Sequence, residues 1–158
     1  MPGSWPPQDF PNLTGADYSD TSPATNRYNC IAWSVGFTTK KWWPDPWGVG
    51  MWPHGVPRQE TIAAFVRMYE ARGYQKCIDG SLEAGIEKIA LYGIPGPTGL
   101  PLPTHAAYQL ENGNWTSKLG DFEDIEHFLV EKLNGPRYGA VALYMKRQRQ
   151  VRLPPPPH

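Results

Sequence analysis

The sequence predicts an α+β fold in which helices come early in the chain and a small antiparallel sheet comes late. Two local patterns indicate this order. Residues 60–72 place apolar side chains at helical spacing, and Gly73 ends the segment. Further on, the dipeptide Asn112-Gly113 separates two strand-like segments, which is the strongest short-range signal for a hairpin. The 158 residues suffice for one domain and hardly for two.

Composition excludes several classes of protein. Glycine and proline are abundant, with 16 and 18 residues, which argues against coiled coils and helical repeats and predicts long ordered loops. The 15 basic residues balance the 15 acidic ones, and a neutral domain lacks the positive charge expected of a nucleic-acid binder. Because no long apolar stretch, signal peptide or set of disulfide-forming cysteines is visible, we expect a cytoplasmic protein, with delivery as an effector or toxin left open.

The first half of the chain is predicted to be irregular apart from two helices. Residues 1–27 are polar and proline-rich, which predicts an irregular arm whose few aromatic side chains lie on the domain. A short helix is expected at residues 29–36, with Asn29 as its N-cap. After it, residues 40–57 form a loop that leads to the helix at 60–72. This loop carries four tryptophans, namely Trp42, Trp43, Trp47 and Trp52.

The second half is predicted to be sheet with one further helix. The expected extended segments are 74–78, 86–94, 105–110, 115–119 and 138–145. Apolar residues at helical spacing predict a helix at 122–133, on which His127 would lie on the solvated face. Residues 28–146 then make up the single domain, and residues 147–158 form a basic, proline-rich tail.

Cys30 is the first candidate for catalytic chemistry because it lies in the first turn of the predicted helix at 29–36. Free N–H groups and the helix dipole favour a thiolate at such a position. His105 begins a strand after a proline-rich loop, and nucleophilic catalysis requires a thiolate with a base within hydrogen-bond reach. The alternative is a buried, inert cysteine and a structural histidine.

The hairpin register ranks the side chains that can orient His105. A two-residue turn places Gln109 on the face of His105 and turns Ser117 away. Asp121 lies one residue beyond the residue paired with His105, and we favour it because a carboxylate best stabilises an imidazolium. Gln109 is the second choice, and a register slip of one residue would favour Ser117 instead.

The tryptophan loop is the second candidate feature. Exposed tryptophans stack on sugar rings or peptide side chains, whereas tryptophans that pack on one another merely close a loop over the core. If Cys30 is catalytic, this loop is expected to form a wall of its cleft, so its four tryptophans and Asn29 are the candidate substrate-binding residues. The backbone N–H of Cys30, together with the amide of Asn26 or of Asn29, is the candidate for an oxyanion hole.

No cofactor or metal is expected. The histidines and cysteines show no zinc-ligand spacing, and prolines interrupt the glycines between residues 93 and 99, so that no phosphate-binding loop is visible. The expected partner is a peptide, a protein or another amide-containing substrate, with neither nucleic acid nor membrane. The oligomeric state is left open.

Several motifs resemble a family of small, largely uncharacterised bacterial proteins, over about residues 27–146. They include Asn29-Cys30-Ile-Ala-Trp33, Thr104-His-Ala-Ala-Tyr-Gln-Leu110, Trp115-Thr-Ser-Lys-Leu-Gly120 and Asp124-Ile-Glu-His127. More distantly, a cysteine that opens a helix and a histidine that begins a later strand resemble the papain-like superfamily, including its NlpC/P60 branch of cysteine peptidases.

The papain-like resemblance implies N-terminal helices packed on a small antiparallel sheet. It also implies Cys30 as the nucleophile, His105 as the base and Asp121 as the orienting group. The activity that follows is thiol-dependent hydrolysis or acyl transfer at a peptide or amide bond, or deamidation. The other function considered is a non-catalytic domain that binds peptide or carbohydrate through the tryptophan loop at residues 42–53.

Overall fold

A computed structural model describes residues 5–152 of the chain, and its main feature is one seven-stranded antiparallel sheet. The strands are β1 (Tyr18–Ser22), β2 (Gln75–Cys77), β3 (Ile86–Pro95), β4 (Pro101–Gln109), β5 (Trp115–Lys118), β6 (Asp124–His127) and β7 (Ala140–Gln148). They lie side by side in the order β1-β6-β5-β4-β3-β7-β2. Strands β3 to β6 are therefore sequential neighbours, and β1 closes one edge by pairing with β6.

Two short helices each begin after a residue whose side chain caps them. Helix α1 (Cys30–Ser34) follows Asn29, whose side chain accepts the N–H of Ala32 at 3.1 Å. Helix α2 (Ile62–Ala71) follows Thr61, which accepts the N–H of Ala64 at the same distance. Both predicted helices are thus confirmed. Within residues 5–152, no helix is long enough and apolar enough to cross a membrane.

The predicted fold class, a papain-like α+β domain with helices packed on a small sheet, is wrong. Only about 15% of the described residues are helical, 3₁₀ turns included, and the seven-stranded sheet makes this a β-rich fold. The predicted helix at 122–133 is in fact β6 followed by a 3₁₀ turn at Val130–Leu133. Ile125 is paired on both sides, with Ser117 of β5 and Asp20 of β1. This double pairing of the backbone outweighs the helical spacing of the apolar side chains.

The ends of the chain also contribute to the sheet. The segment predicted to be an irregular arm contains β1, and its Trp5 and Phe10 are buried in the core. At the other end, β7 continues to Gln148 and so includes the first two residues of the predicted tail. The proline run of that tail, at residues 154–157, lies outside the described residues.

The sheet separates two hydrophobic clusters. One lies beneath the two helices and includes Cys30, Ala106 and Tyr108. The other lies on the opposite face and includes Tyr92, Ala107 and Tyr138. Because side chains alternate along a strand, the residues of β4 with even numbers face α1, and those with odd numbers, His105 among them, face away from it. This alternation determines which groups surround the candidate site.

Candidate functional site

The hairpin between β4 and β5 determines which side chains accompany His105. The N–H of Leu110 donates to the carbonyl of Asn114 at 2.7 Å, and Tyr108 pairs with Thr116, so the turn holds three residues instead of the predicted two. This difference of one residue turns Ser117 to the face of His105. Gln109, the second choice from the sequence, instead donates its amide N–H to the carbonyl of Gly80 at 2.7 Å.

A chain of buried polar groups crosses three strands at this point. His105 Nε2 lies 3.0 Å from Ser117 Oγ, which lies 2.8 Å from His127 Nε2. His127 Nδ1 in turn lies 3.1 Å from the carbonyl oxygen of Leu129. The side chains of His105, Ser117 and His127 all have zero solvent exposure. His127, which the sequence placed on a solvated helix, is buried because β6 replaces that helix.

His105 is enclosed by aromatic rings and keeps one nitrogen without a partner. The ring of Tyr138 stacks on the imidazole at a centroid distance of 4.0 Å, and that of Tyr92 lies at 5.1 Å. The Nδ1 atom of His105 is buried, and no hydrogen bond reaches it from the described residues. Since buried polar atoms are nearly always paired, the unpaired imidazole nitrogen is an unusual feature of this site, which it shares with the buried Oε1 of Gln109.

Burial keeps both histidines neutral. Burial, with the charge of His127 as a smaller contribution, lowers the pKa of His105 well below its ordinary value of 6.5. Burial likewise lowers the pKa of His127 to about 4, although the carbonyl of Leu129 and the carboxylate of Glu126 act in the opposite direction. Near neutral pH, each imidazole therefore carries a single proton.

Cys30 is buried, with 6% of its surface exposed. Burial raises the pKa of its thiol to about 11, despite the N–H groups of Ala106, Ile31 and Cys30 itself and the charge of Lys118, all of which lower it. The thiolate that the helix position predicts is therefore not the resting state. A helix of five residues supplies too little dipole to outweigh the loss of solvent.

Cys30 and His105 approach β4 from opposite faces of the sheet. No hydrogen bond joins them within the described part of the chain, but they share two neighbours. The N–H of Ala106, directly after His105, lies beside the thiol. Tyr138, which stacks on His105, has a pKa that is raised by burial and that a thiolate at Cys30 would raise further. The ladder between β4 and β5 consists of the pairs Tyr108–Thr116 and Gln109–Trp115, so it ends before the level of Ala106 and His105.

The structure does not bring Asp121 to His105, which corrects its predicted role. Its side chain is 62% exposed and pairs with Lys41 Nζ at 3.1 Å. Asp121 belongs to the turn after β5, and this turn leads its side chain out toward the tryptophan loop. Of the three orienting groups considered from the sequence, Ser117 is the one in contact with the imidazole.

A pocket of about 440 Å³ lies beside the N-terminus of α1. It is lined by Asn29, Lys41, Trp43, Asp45, Trp47, Val49, Gly50, Gly120 and Asp121. The four tryptophans therefore divide into two pairs. Trp42 and Trp52 are buried in the core, whereas Trp43 lines the pocket with Trp47, whose surface is 84% exposed.

Asn29 has a structural task that uses both the oxygen and the nitrogen of its amide. Its Oδ1 accepts the N–H of Ala32 and that of Trp42, and its Nδ2 donates to the carbonyl of Trp42 at 2.8 Å. The amide thus caps α1 and holds the start of the tryptophan loop, and the bond to Trp42 uses one of the two N–H groups of Nδ2.

Lys118 and His127 are the two members of the site that sequence reasoning missed. Lys118 is fully buried and donates to the carbonyls of Thr25, Gly120 and Phe122 at 2.6 to 2.8 Å. It thereby fixes the turn at the pocket floor. The motifs quoted above as a family resemblance contain both residues, and those motifs are the one signal in the sequence that marks them. Among residues 5–152, no cluster of three or more histidine, cysteine or acidic side chains is placed to hold a metal ion.

Comparison with protein families gives one match, a domain of unknown function, DUF7689, over residues 19–146. The chain belongs to this family. The DUF7689 match takes in β2 to β6 completely, most of β1 and β7, and all of the groups from Cys30 to His127 described above. No curated protein and no solved structure matches the chain. Function is therefore inferred from the geometry of the DUF7689 domain alone.

Proposed function

We propose that the protein is a thiol-dependent hydrolase or acyl transferase, acting on an amide or related acyl compound, with Cys30 as nucleophile and His105 as base. The unpaired Nδ1 atom of His105 carries this proposal. Leaving a buried polar atom without a partner costs about 1–3 kcal/mol. His105 lies on β4, the strand against which the helix of Cys30 packs, so this unpaired nitrogen is the nearest candidate on that strand to accept the thiol proton.

The reaction starts from a neutral pair. Cys30 S–H gives its proton to His105 Nδ1 while the sulfur forms a bond to the carbonyl carbon, whose π electrons move to oxygen. When these electrons return, the bond to the leaving nitrogen or oxygen breaks, and the leaving group takes the proton from Nδ1. Water, deprotonated by the same Nδ1, then cleaves the thioester and restores the thiol. In a transferase, an amine or alcohol replaces the water.

Two features of the site favour this sequence of steps. The backbone N–H groups of Cys30, Ile31 and Ala106 face the sulfur and lower the pKa of its thiol, so they also stabilise negative charge that develops there. The pocket lined by Asn29 gives an acyl group a place to bind beside the residue that precedes the nucleophile. Catalysis requires the sulfur and Nδ1, which approach β4 from opposite faces, to come within hydrogen-bond reach of each other, and the substrate to enter from this pocket.

Reaction with p-nitrophenyl acetate tests the proposal without knowledge of the natural substrate. We expect an acetyl group on Cys30, detected by intact mass and peptide mapping. His105→Ala should slow acetylation by about tenfold or more, because a positioned base contributes at least this much. Cys77→Ser is the matched control, since it removes the other cysteine but not the nucleophile, and it should retain the adduct. Acetylation confined to Cys77, or equally fast in His105→Ala, would rule the proposal out.

A second prediction separates the orienting group from the one that the sequence favoured. Ser117→Ala should slow acetylation of Cys30 by about tenfold, because it removes the hydrogen bond at His105 Nε2. Asp121→Asn should leave the rate unchanged within about twofold, because that carboxylate is exposed and pairs with Lys41. The reverse ranking of the two rates would return Asp121 to the catalytic group.

Ligand binding without catalysis is the second candidate, and the exposed Trp47 favours it. An indole ring that is 84% exposed beside a pocket is suited to stacking on a sugar or a peptide side chain. This function predicts a saturable change in tryptophan fluorescence when cello-oligosaccharides or short peptides are added. The change should disappear in Trp47→Ala. For a binding protein without catalysis, Cys30 should also stay unacetylated when p-nitrophenyl acetate is added.

A further inference from the structure

The carbonyl of Leu129, at the far end of the buried series of hydrogen bonds from His105 to His127, determines the direction of each bond in the series. The carbonyl oxygen of Leu129 can only accept, so His127 Nδ1, 3.1 Å away, carries the proton. A neutral imidazole has one N–H, which leaves His127 Nε2 as an acceptor. Ser117 Oγ lies 2.8 Å from this nitrogen and therefore donates its O–H to it.

The same reasoning continues to His105. With its hydrogen committed to His127, Ser117 Oγ can only accept from the next group, which is His105 Nε2 at 3.0 Å. His105 Nε2 therefore carries the proton, and its Nδ1 is a free lone pair. This is the nitrogen that is buried without a partner. This series of hydrogen bonds thus holds His105 in the one neutral tautomer in which Nδ1 can act as a base.

We infer that His127, acting through Ser117, is a positioning residue that fixes the tautomer of His105. The purpose of this device rests on the proposed function, in which Nδ1 accepts the thiol proton. The tautomer itself rests only on the three hydrogen bonds and the carbonyl of Leu129. Without an acceptor at position 127, the hydroxyl of Ser117 is free to donate to His105 Nε2. The proton of His105 then moves to Nδ1, and the base is lost.

The surroundings of His105, Ser117 and His127 favour one direction for the hydrogen bonds between them. His105, Ser117 and His127 have no solvent exposure, so water does not compete for their hydrogen bonds. Tyr138 stacks at 4.0 Å on His105 with an interplanar angle of 8°, which restricts rotation of the imidazole. Burial also keeps the pKa values of both histidines below neutrality, and an imidazolium, which donates from both nitrogens, would destroy the ordering.

Two substitutions at position 127 make the inference testable. His127→Phe keeps a ring but removes the acceptor. His127→Gln keeps both functions, because its amide oxygen can accept from Ser117 while its N–H donates to Leu129. Two-bond ¹H–¹⁵N NMR spectra of the histidine side chains at neutral pH report the tautomer of His105 directly. We expect the Nε2–H form in the wild type and in His127→Gln, and the Nδ1–H form in His127→Phe.

Acetylation of Cys30 by p-nitrophenyl acetate is the second measurement on the same proteins. His127→Phe should slow it by about tenfold or more, and His127→Gln should restore the rate to within about threefold of the wild type. A thermal melt of each variant shows that the fold persists. A His105 that keeps the Nε2–H form in folded His127→Phe overturns the inference, whatever the rates. The other informative result is that the tautomer of His105 switches in His127→Phe while Cys30 is not acetylated even in the wild type. This result would support the positioning role of His127 and overturn the proposed function.

Discussion

Acidification from pH 6.5 to 4 is expected to remove about 3 kcal/mol of folding free energy through His127 alone. Burial lowers its folded pKa from 6.5 to about 4, so in this window the unfolded chain binds a proton that the folded chain does not. Each pH unit of difference corresponds to about 1.36 kcal/mol. The contribution of His127 to the free energy of unfolding is fully present above pH 6.5 and is lost as the pH falls toward 4. His105, whose pKa is lowered for the same reason, adds to the loss.

Urea unfolding at a series of pH values measures this loss. His127→Gln cannot be protonated and should flatten the profile by about the His127 contribution of 3 kcal/mol. His54→Gln is the matched control, because His54 is exposed and should leave the profile unchanged. A wild-type stability that is flat between pH 6.5 and 4 would mean that the two histidines are not buried in neutral form.

Glu87→Leu is expected to lower the free energy of unfolding by about 3–5 kcal/mol, the usual cost of leaving a buried charge without its partner. Glu87 is fully buried and accepts from Arg147 Nε at 2.7 Å, from Tyr108 at 2.9 Å and from the N–H of Gln150 at 3.0 Å. Burial by itself raises the pKa of Glu87, but these donors outweigh it and hold the pKa below its ordinary value. The substitution therefore leaves the guanidinium of Arg147, itself 7% exposed, without a counter-charge.

Two further variants interpret that result. Glu70→Leu changes an exposed carboxylate on α2 and should alter stability by no more than about 0.5 kcal/mol. The double variant Glu87→Leu/Arg147→Met should recover part of the loss, because it removes both charges. A cost below about 1 kcal/mol for Glu87→Leu, as is typical of exposed ion pairs, would contradict the role of Glu87 as a buried anchor.

Elements with strong local signals were predictable from the sequence. The predicted N-cap Asn29 begins α1, and the apolar periodicity of α2 needs no tertiary context. The segment at 122–133 shows the opposite case. Its helical spacing is real, but Phe128 and Leu129, which belong to the predicted apolar face, are exposed in the structure. Pairing of the preceding residues with β1 and β5 decides its conformation, and no local pattern encodes that pairing.

The sequence by itself determined that Cys30 opens a helix, that His105 lies in a strand and that a hairpin follows it. It did not determine the partners of these residues, because the identity of side chains that share a face depends on the register. One extra residue in the turn brought Ser117 to His105 and left Asp121 to the surface. Tertiary structure alone decided that burial raises the pKa of Cys30 and lowers that of His105, since desolvation acts on a group only after the whole sheet has closed around it.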